Sequence, residues 1–248
     1  MPTRYRTAFL DAGGVLVNPN WQRASDALAR HGVAVDPALL AAAEPAVKRR
    51  LDVGRTVTGT TDEQRGFLFF DLILQTAGIQ PSAATDHALA ELKVFHDAEN
   101  TWDQVPDEVV PALRRLREGG LQIVVVSNSN GTIRQLFRRL GLDVHFDVVI
   151  DSADEGVEKP DPRLFHIACE RSGADLQTTV HCGDLYEIDI IGARAAGLPA
   201  VLLDSAGMYD AVTDCPRVRS LSEYAEALLE GRFDSYVAPG LQPRGPRT

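Results

Sequence analysis

The feature that most narrows this chain is a rhythm in its second half. From Val105 onward, short apolar runs alternate with amphipathic stretches. The predicted strands are Ile123–Val126, Asp147–Ile150, Thr179–Cys182 and Ala200–Leu203. Between and around them lie predicted helices over Pro106–Glu118, Thr132–Leu140, Asp161–Arg171, Ile188–Ala196 and Leu221–Leu229, several closed by glycine. Strands that are apolar on both faces belong in a parallel sheet covered by helices on both sides. One further strand, Tyr5–Leu10, stands far ahead of the others and ends at Asp11, just before Gly13-Gly14. The fold expected is α/β, with a Rossmann-like parallel-sheet core.

From Asn20 to about Asn100 the strand runs vanish and helical signals take over. Asn20 caps a helix carrying Trp21, Ala24, Ala27 and Leu28. Asp36-Pro37 opens a second, to about Leu51, which Pro45 is expected to kink or divide. Thr60-Thr61-Asp62-Glu63 opens a third, with Phe67, Phe70, Leu72, Ile73 and Leu74 as its apolar face, and Pro81-Ser82 a fourth, to about Phe95. The expected organisation is a core of residues 1–17 and 101–235, an all-helical insert of residues 18–100 with its own small core, and a tail of residues 236–248. From Arg232 the chain shows no periodic pattern and reads as a loosely held extension.

The 35 acidic and 25 basic residues give a formal net charge of -10, which argues against nucleic-acid or anionic-membrane partners. The N-terminus has no apolar stretch of signal-peptide type, and no apolar run is long enough to span a bilayer. Cys169, Cys182 and Cys215 are scattered without metal-ligand spacing and read as small hydrophobes in a reducing compartment. A cytoplasmic monomer or homodimer is expected. Only three of the basic residues are lysines: Lys48, Lys93 and Lys159.

Open parallel sheets bind ligands at the carboxyl ends of their strands. Asp11, Ser127 and Asp184 fall at or just past three such ends, and Lys159 lies in the loop after a fourth. Asp189 follows Asp184 by a little over a helical turn. Facing carboxylates repel unless a cation lies between them, and Mg²⁺ suits an all-oxygen site. A carboxylate beside that ion can attack an electrophile and form a covalent intermediate. Ser127 offers a hydroxyl with nearby backbone N–H donors, and Lys159 a point charge. The reaction this set fits is phosphoryl transfer.

The order Phe9-Leu10-Asp11-Ala12-Gly13-Gly14-Val15-Leu16, Ser127-Asn128, Lys159-Pro160, and Gly183-Asp184 with Asp189 and Gly192-Ala193 resembles the haloacid dehalogenase (HAD) superfamily. The resemblance covers about residues 5–17 and 104–205, and implies that the helical insert is a cap domain. It implies Asp11 as nucleophile, and Mg²⁺ held by Asp11, the Gly13 carbonyl and Asp184, with Asp189 supporting it directly or through water. Ser127 and the Asn128 amide would hold the transferring phosphoryl group, and Lys159 would pair with Asp11 and the phosphoryl oxygens. The substrate implied is a small phosphorylated metabolite.

The sequence departs from the family at Gly13, where its phosphatases usually carry a second Asp that protonates the leaving group. General acid–base help is worth about 10²–10⁴-fold. Two other readings therefore stand beside a Mg²⁺-dependent phosphatase: a metal-independent, dehalogenase-type hydrolase using Asp11, and a non-catalytic or weakly active binding protein on this fold. Taken singly, the residues also have plainer readings. Ser127-Asn128 reads as a helix cap, Lys159 as a solvated loop lysine, Asp189 as a helix N-terminal acid and His181 as a core histidine. Trp21, Arg49, Arg50, Arg55 and Asn18 are further positions near the site with no assigned role.

Overall fold

A computed structural model describes residues 3–236. In chain order the elements are β1 (Thr7–Leu10), α1 (Trp21–Arg30), α2 (Pro37–Leu51), α3 (Gly54–Gly59), α4 (Asp62–Thr76) and α5 (Ala83–Glu99). Then come α6 (Val109–Glu118), β2 (Gln122–Ser127), α7 (Ile133–Leu140), β3 (Val148–Asp151), α8 (Ser152–Glu155) and α9 (Pro162–Ser172). The chain finishes with β4 (Thr179–Gly183), α10 (Ile191–Ala195), β5 (Ala200–Leu203), β6 (Arg217–Val218) and α11 (Leu221–Leu229).

Among the described residues, six strands form one parallel sheet in the order β3-β2-β1-β4-β5-β6. Strand order reverses at β1, which pairs with β2 on one side and β4 on the other. That places a crevice at the carboxyl end of β1, where open α/β sheets bind ligands. One face of the sheet packs through Leu10, Ile123, Val125 and Val180 against α6, α7 and α11. The other packs through Phe9, Val124, Val126 and Ile150 against α9 and α10. These runs are apolar throughout because both faces are covered, the pattern expected of buried parallel strands.

Helices α1, α2, α4 and α5 surround a third apolar cluster, in which Leu28, Leu40, Val47, Ile73 and Ala88 are buried. The chain leaves for this region and returns through two paired segments. The Asn18 N–H donates to the Gln104 carbonyl at 2.8 Å, and the Gln104 N–H donates back at 3.2 Å. Among the described residues, no helix is long and apolar enough to cross a membrane.

Several local expectations need correction. Pro45 does not divide α2, which runs unbroken over Pro37–Leu51. The proline removes one backbone donor, but Leu40, Ala43 and Val47 anchor the turns around it in the insert's core. On α4, Phe67 is 46% exposed, while Phe69, Leu72 and Ile73 make the buried stripe at i, i+3, i+4 spacing. Helix α3 and strand β6 escape a periodicity reading because they are only six and two residues long. The expected Ile188–Ala196 helix begins instead as a wide i→i+5 turn over Tyr186–Ile190.

Residues 232–236 are not loose. Phe233 is buried, and the Tyr236 hydroxyl donates to the Asp214 carbonyl at 2.9 Å. Residues 237–248 of the expected tail lie outside the described residues.

Candidate active site

Asp11 follows the last residue of β1 and is carried into the crevice by a turn that the sequence dictates. The N–H groups of Leu16 and Val17 both reach the Ala12 carbonyl, and the Gly14 N–H reaches the Val17 carbonyl. Gly14 sits at φ +75°, where a side chain would be strained. A Cβ there would also stand 2.1 Å from Asp184 Oδ2, so only glycine lets this backbone approach the carboxylate. The turn's hydrogen bonds leave the Gly13 carbonyl out of the network.

Lys159 lies between two carboxylates. Its Nζ donates to Asp11 Oδ1 at 2.7 Å and to Asp189 Oδ1 at 2.7 Å, and the side chain is 1% exposed. Its backbone is held by Asn128, whose Oδ1 accepts from the Lys159 N–H and whose Nδ2 donates to the Lys159 carbonyl. The side chain of Asn128 is therefore engaged with Lys159. Ser127, at the end of β2, is buried, and its hydroxyl donates to the Asn128 carbonyl at 3.3 Å.

Asp189 is delivered by the wide turn after β4. One oxygen accepts from Lys159 and faces His181 Nε2 at 3.1 Å; the other accepts from the Leu185 N–H at 3.0 Å. His181 is fully buried, edge-on to Phe165, and burial holds it below its ordinary pKa. A neutral imidazole donating to Asp189 satisfies that geometry.

Asp184 is the third carboxylate, and its partner comes from the helical region. Lys48 of α2 donates to Asp184 Oδ2 at 2.9 Å and to Glu44 Oε1 at 2.8 Å. Lys48 had no place in the sequence argument beyond its rarity. Its partner lies 136 residues away, and an i,i+4 Glu–Lys pair reads as a solvated helix face. One turn later on the same segment, Asp52 accepts from the N–H groups of Tyr186 and Glu187 at 2.7 and 2.9 Å and from the Tyr209 hydroxyl.

Ligand oxygens of Asp11, Asp184 and Asp189 all lie within 4.8 Å of one another. Burial pushes the Asp11 carboxyl up to about 7, with Lys159 opposing the rise and Asp189 and Asp184 adding to it. Burial also raises Asp184, Lys48 opposing. For Asp189 burial pulls upward too, but Lys159 and His181 outweigh it and hold the group below the usual carboxylate range. Three buried acids against two lysines is an arrangement that favours a further cation. Among the described residues, no protein hydrogen bond reaches the second oxygen of Asp11 or of Asp184, and an oxygen-only donor set suits Mg²⁺.

Trp102 occupies the space beside Gly13. A Cβ on Gly13 would lie 3.3 Å from the indole ring, which also lies within 5.4 Å of the Lys48 ammonium. Of the positions without an assigned role, Trp21 anchors the helical core, packing on Phe69 and Phe70 and donating to Glu44. Arg49, Arg50 and Arg55 are exposed, and they and Asn18 lie outside the walls of the cleft above Asp11.

Residues 5–197 match the family described as haloacid dehalogenase-like hydrolase. The chain is 35% identical to haloacid dehalogenase-like hydrolase domain-containing protein 3 of Bos taurus over 174 residues, 66% of this chain and 68% of that protein. It is 31% identical to ribulose-1,5-bisphosphate 5-phosphatase of Halopiger xanaduensis over 178 residues, 68% of this chain and 70% of that one. Among solved structures, the magnesium-bound HAD-hydrolase YfnB of Bacillus subtilis has the same fold, with a TM-score of 0.68 at 20% identity, covering 91% of this chain and 99% of that one.

Proposed function

This chain belongs to the haloacid dehalogenase-like hydrolases, and from that premise we propose that it is a Mg²⁺-dependent phosphomonoesterase working through an aspartyl-phosphate on Asp11. The observation that carries the reading is the state of Asp11: one oxygen is held by Lys159 at 2.7 Å, and no donor among the described residues reaches the other. The carboxylate is thus fixed in direction and open for attack. The three-acid cluster favours this metal-dependent reading over a metal-free displacement.

Asp11 and Asp184 would hold the ion through their free oxygens, with the Gly13 carbonyl beside them. Asp189, with both oxygens on protein donors, acts through Lys159 or a water. When bound, the ion supplies positive charge against the phosphoryl oxygens. Asp11 attacks phosphorus, the ester P–O bond breaks, and the alcohol oxygen takes a proton from water in the cleft, since Gly13 offers none. The hydroxide left by that water then attacks the same phosphorus, the bond to Asp11 breaks, and inorganic phosphate leaves as its monohydrogen dianion. Lys159 and Ser127 stabilise the phosphoryl oxygens through both steps. We assign residues 18–100 as the cap that shields the site, residues 1–17 and 101–235 as the catalytic core, and a small phosphorylated metabolite as the substrate.

The test is release of phosphate from p-nitrophenyl phosphate, whose phenolate needs little acid assistance. Turnover with Mg²⁺, lost in EDTA and in Asp11→Asn, is expected. Turnover that survives EDTA would favour the metal-free displacement, and wild type equal to Asp11→Asn would leave a binding protein.

A further inference from the structure

The cleft above Asp11 has a volume of about 1280 Å³, more than the roughly 300–1,000 Å³ of ordinary small-molecule sites. Its outer wall is built by α4 and α5. These helices pack on α2 and α1 respectively, and the Lys93 ammonium of α5 reaches across to the Phe67 ring of α4. Phe67, Phe70 and Leu89 line the cleft, and Trp102 lines it beside Gly13. Phe67 is 46% exposed at the edge of this cleft, where the Lys93 ammonium lies 4.9 Å from its ring centre.

The charges lining the cleft point the same way. Beyond Lys48 and Lys159, its cations are Arg65, Lys93 and Arg163, and each already faces an acid: Arg65 pairs with Asp62 and Glu158, Lys93 with Asp97, and Arg163 with Asp161. His96, also on the wall, is held below its ordinary pKa by burial and bonds Thr101. Glu63, Asp71 and Asp86 line the cleft without a cation of their own among the described residues. A second phosphate or a carboxylate on the substrate would meet like charge and no uncommitted base.

We infer that the ester's alcohol portion is apolar, of aromatic size, and carries no second negative charge. This rests on the phosphomonoesterase reading above and names its substrate class. The phosphate lies at Asp11 and Lys159, while the alcohol portion extends past Trp102 between Phe67 and Phe70.

The experiment compares 2-phenylethyl phosphate with ethyl phosphate, 3-phosphoglycerate and ribulose 1,5-bisphosphate, all of which lose alkoxide leaving groups. The kcat/KM of the phenylethyl ester should exceed that of ethyl phosphate by about 10- to 100-fold. It should exceed those of the two polyanionic esters as well, and Phe70→Ala should shrink the preference over ethyl phosphate by about tenfold. In parallel, calorimetry on the wild-type protein with 2-phenylethylphosphonate and ethylphosphonate, neither of which is hydrolysed, should show the same preference. Equal affinities for the two phosphonates, or fastest turnover of the bisphosphate, overturn the inference. Failure to release phosphate from every ester, p-nitrophenyl phosphate included, overturns the hydrolytic reading instead.

Discussion

Asn128 and Lys159 grip each other by two hydrogen bonds. The Lys159 N–H donates to Asn128 Oδ1 at 2.7 Å, and Asn128 Nδ2 donates to the Lys159 carbonyl at 2.9 Å. The loop carrying Lys159 is thus docked onto the end of β2, and its ammonium is aimed at Asp11. Asn128→Ala should misplace that charge and lower kcat by about 10²-fold with little change in KM, measured by phosphate release with saturating Mg²⁺. An unaltered kcat would show that the loop holds its register without Asn128.

The indole of Trp102 stands where an acid at position 13 would need room. Gly13→Asp alone should therefore give no gain on an alkyl phosphate and should cost about 1–3 kcal/mol of stability through overpacking. Gly13→Asp combined with Trp102→Ala makes the space, and should raise kcat on ethyl phosphate by at least about tenfold over Trp102→Ala alone. A gain in the single variant would mean the indole swings aside freely.

Lys48 and a divalent cation both seek Asp184. Replacing Lys48 with Met removes the competing charge, so Mn²⁺ or Mg²⁺ should bind the substrate-free protein roughly tenfold more tightly, read by calorimetry. Weaker binding would show instead that Lys48 holds Asp184 in place for the ion.

Asp52 links the helical region to the turn bearing Asp189, and burial pushes its carboxyl up to about 6 from an ordinary 3.8. The unfolded chain ionises this group first as pH rises. The stability it contributes is full below about pH 4 and is lost as pH climbs through about 6. Relative to Asp52→Asn, wild-type stability should fall by about 2–3 kcal/mol across that window, measured by urea unfolding at successive pH values. Parallel curves would show that Asp52 does not titrate there.

The sheet and the positions of Asp11, Ser127 and Asp184 could be read from the chain because each depends on local pattern, an apolar run and then a polar residue at its end, whereas Lys159, in a loop beyond its strand, was placed by the order of the motifs. Asp189 could be placed near the site by spacing, but the wide turn that points it inward left no periodic mark. Lys48, Asp52 and Trp102 could not be read, because each acts across a boundary between sequence-distant segments. Trp102 precedes no motif, and Asp52 looks like the frayed end of a helix. Phe69 could have been found: it stands at i, i+3, i+4 from Leu72 and Ile73, the spacing that picks the buried stripe. Phe67, off that stripe, was the residue whose exposure then mattered.

The pairing of Asn18 with Gln104 has a further meaning. From the sheet's side, the whole helical region is a hairpin loop with its ends already joined, so its length adds little closure entropy to the core. Both apolar layers of the sheet are completed by other helices. Two cuts beside that bridge would spare the strands that hold the carboxylates, yet they would take Lys48 from Asp184 and Asp52 from the turn bearing Asp189. The graft point is a single β-bridge, but Asp184 takes its cation from across it.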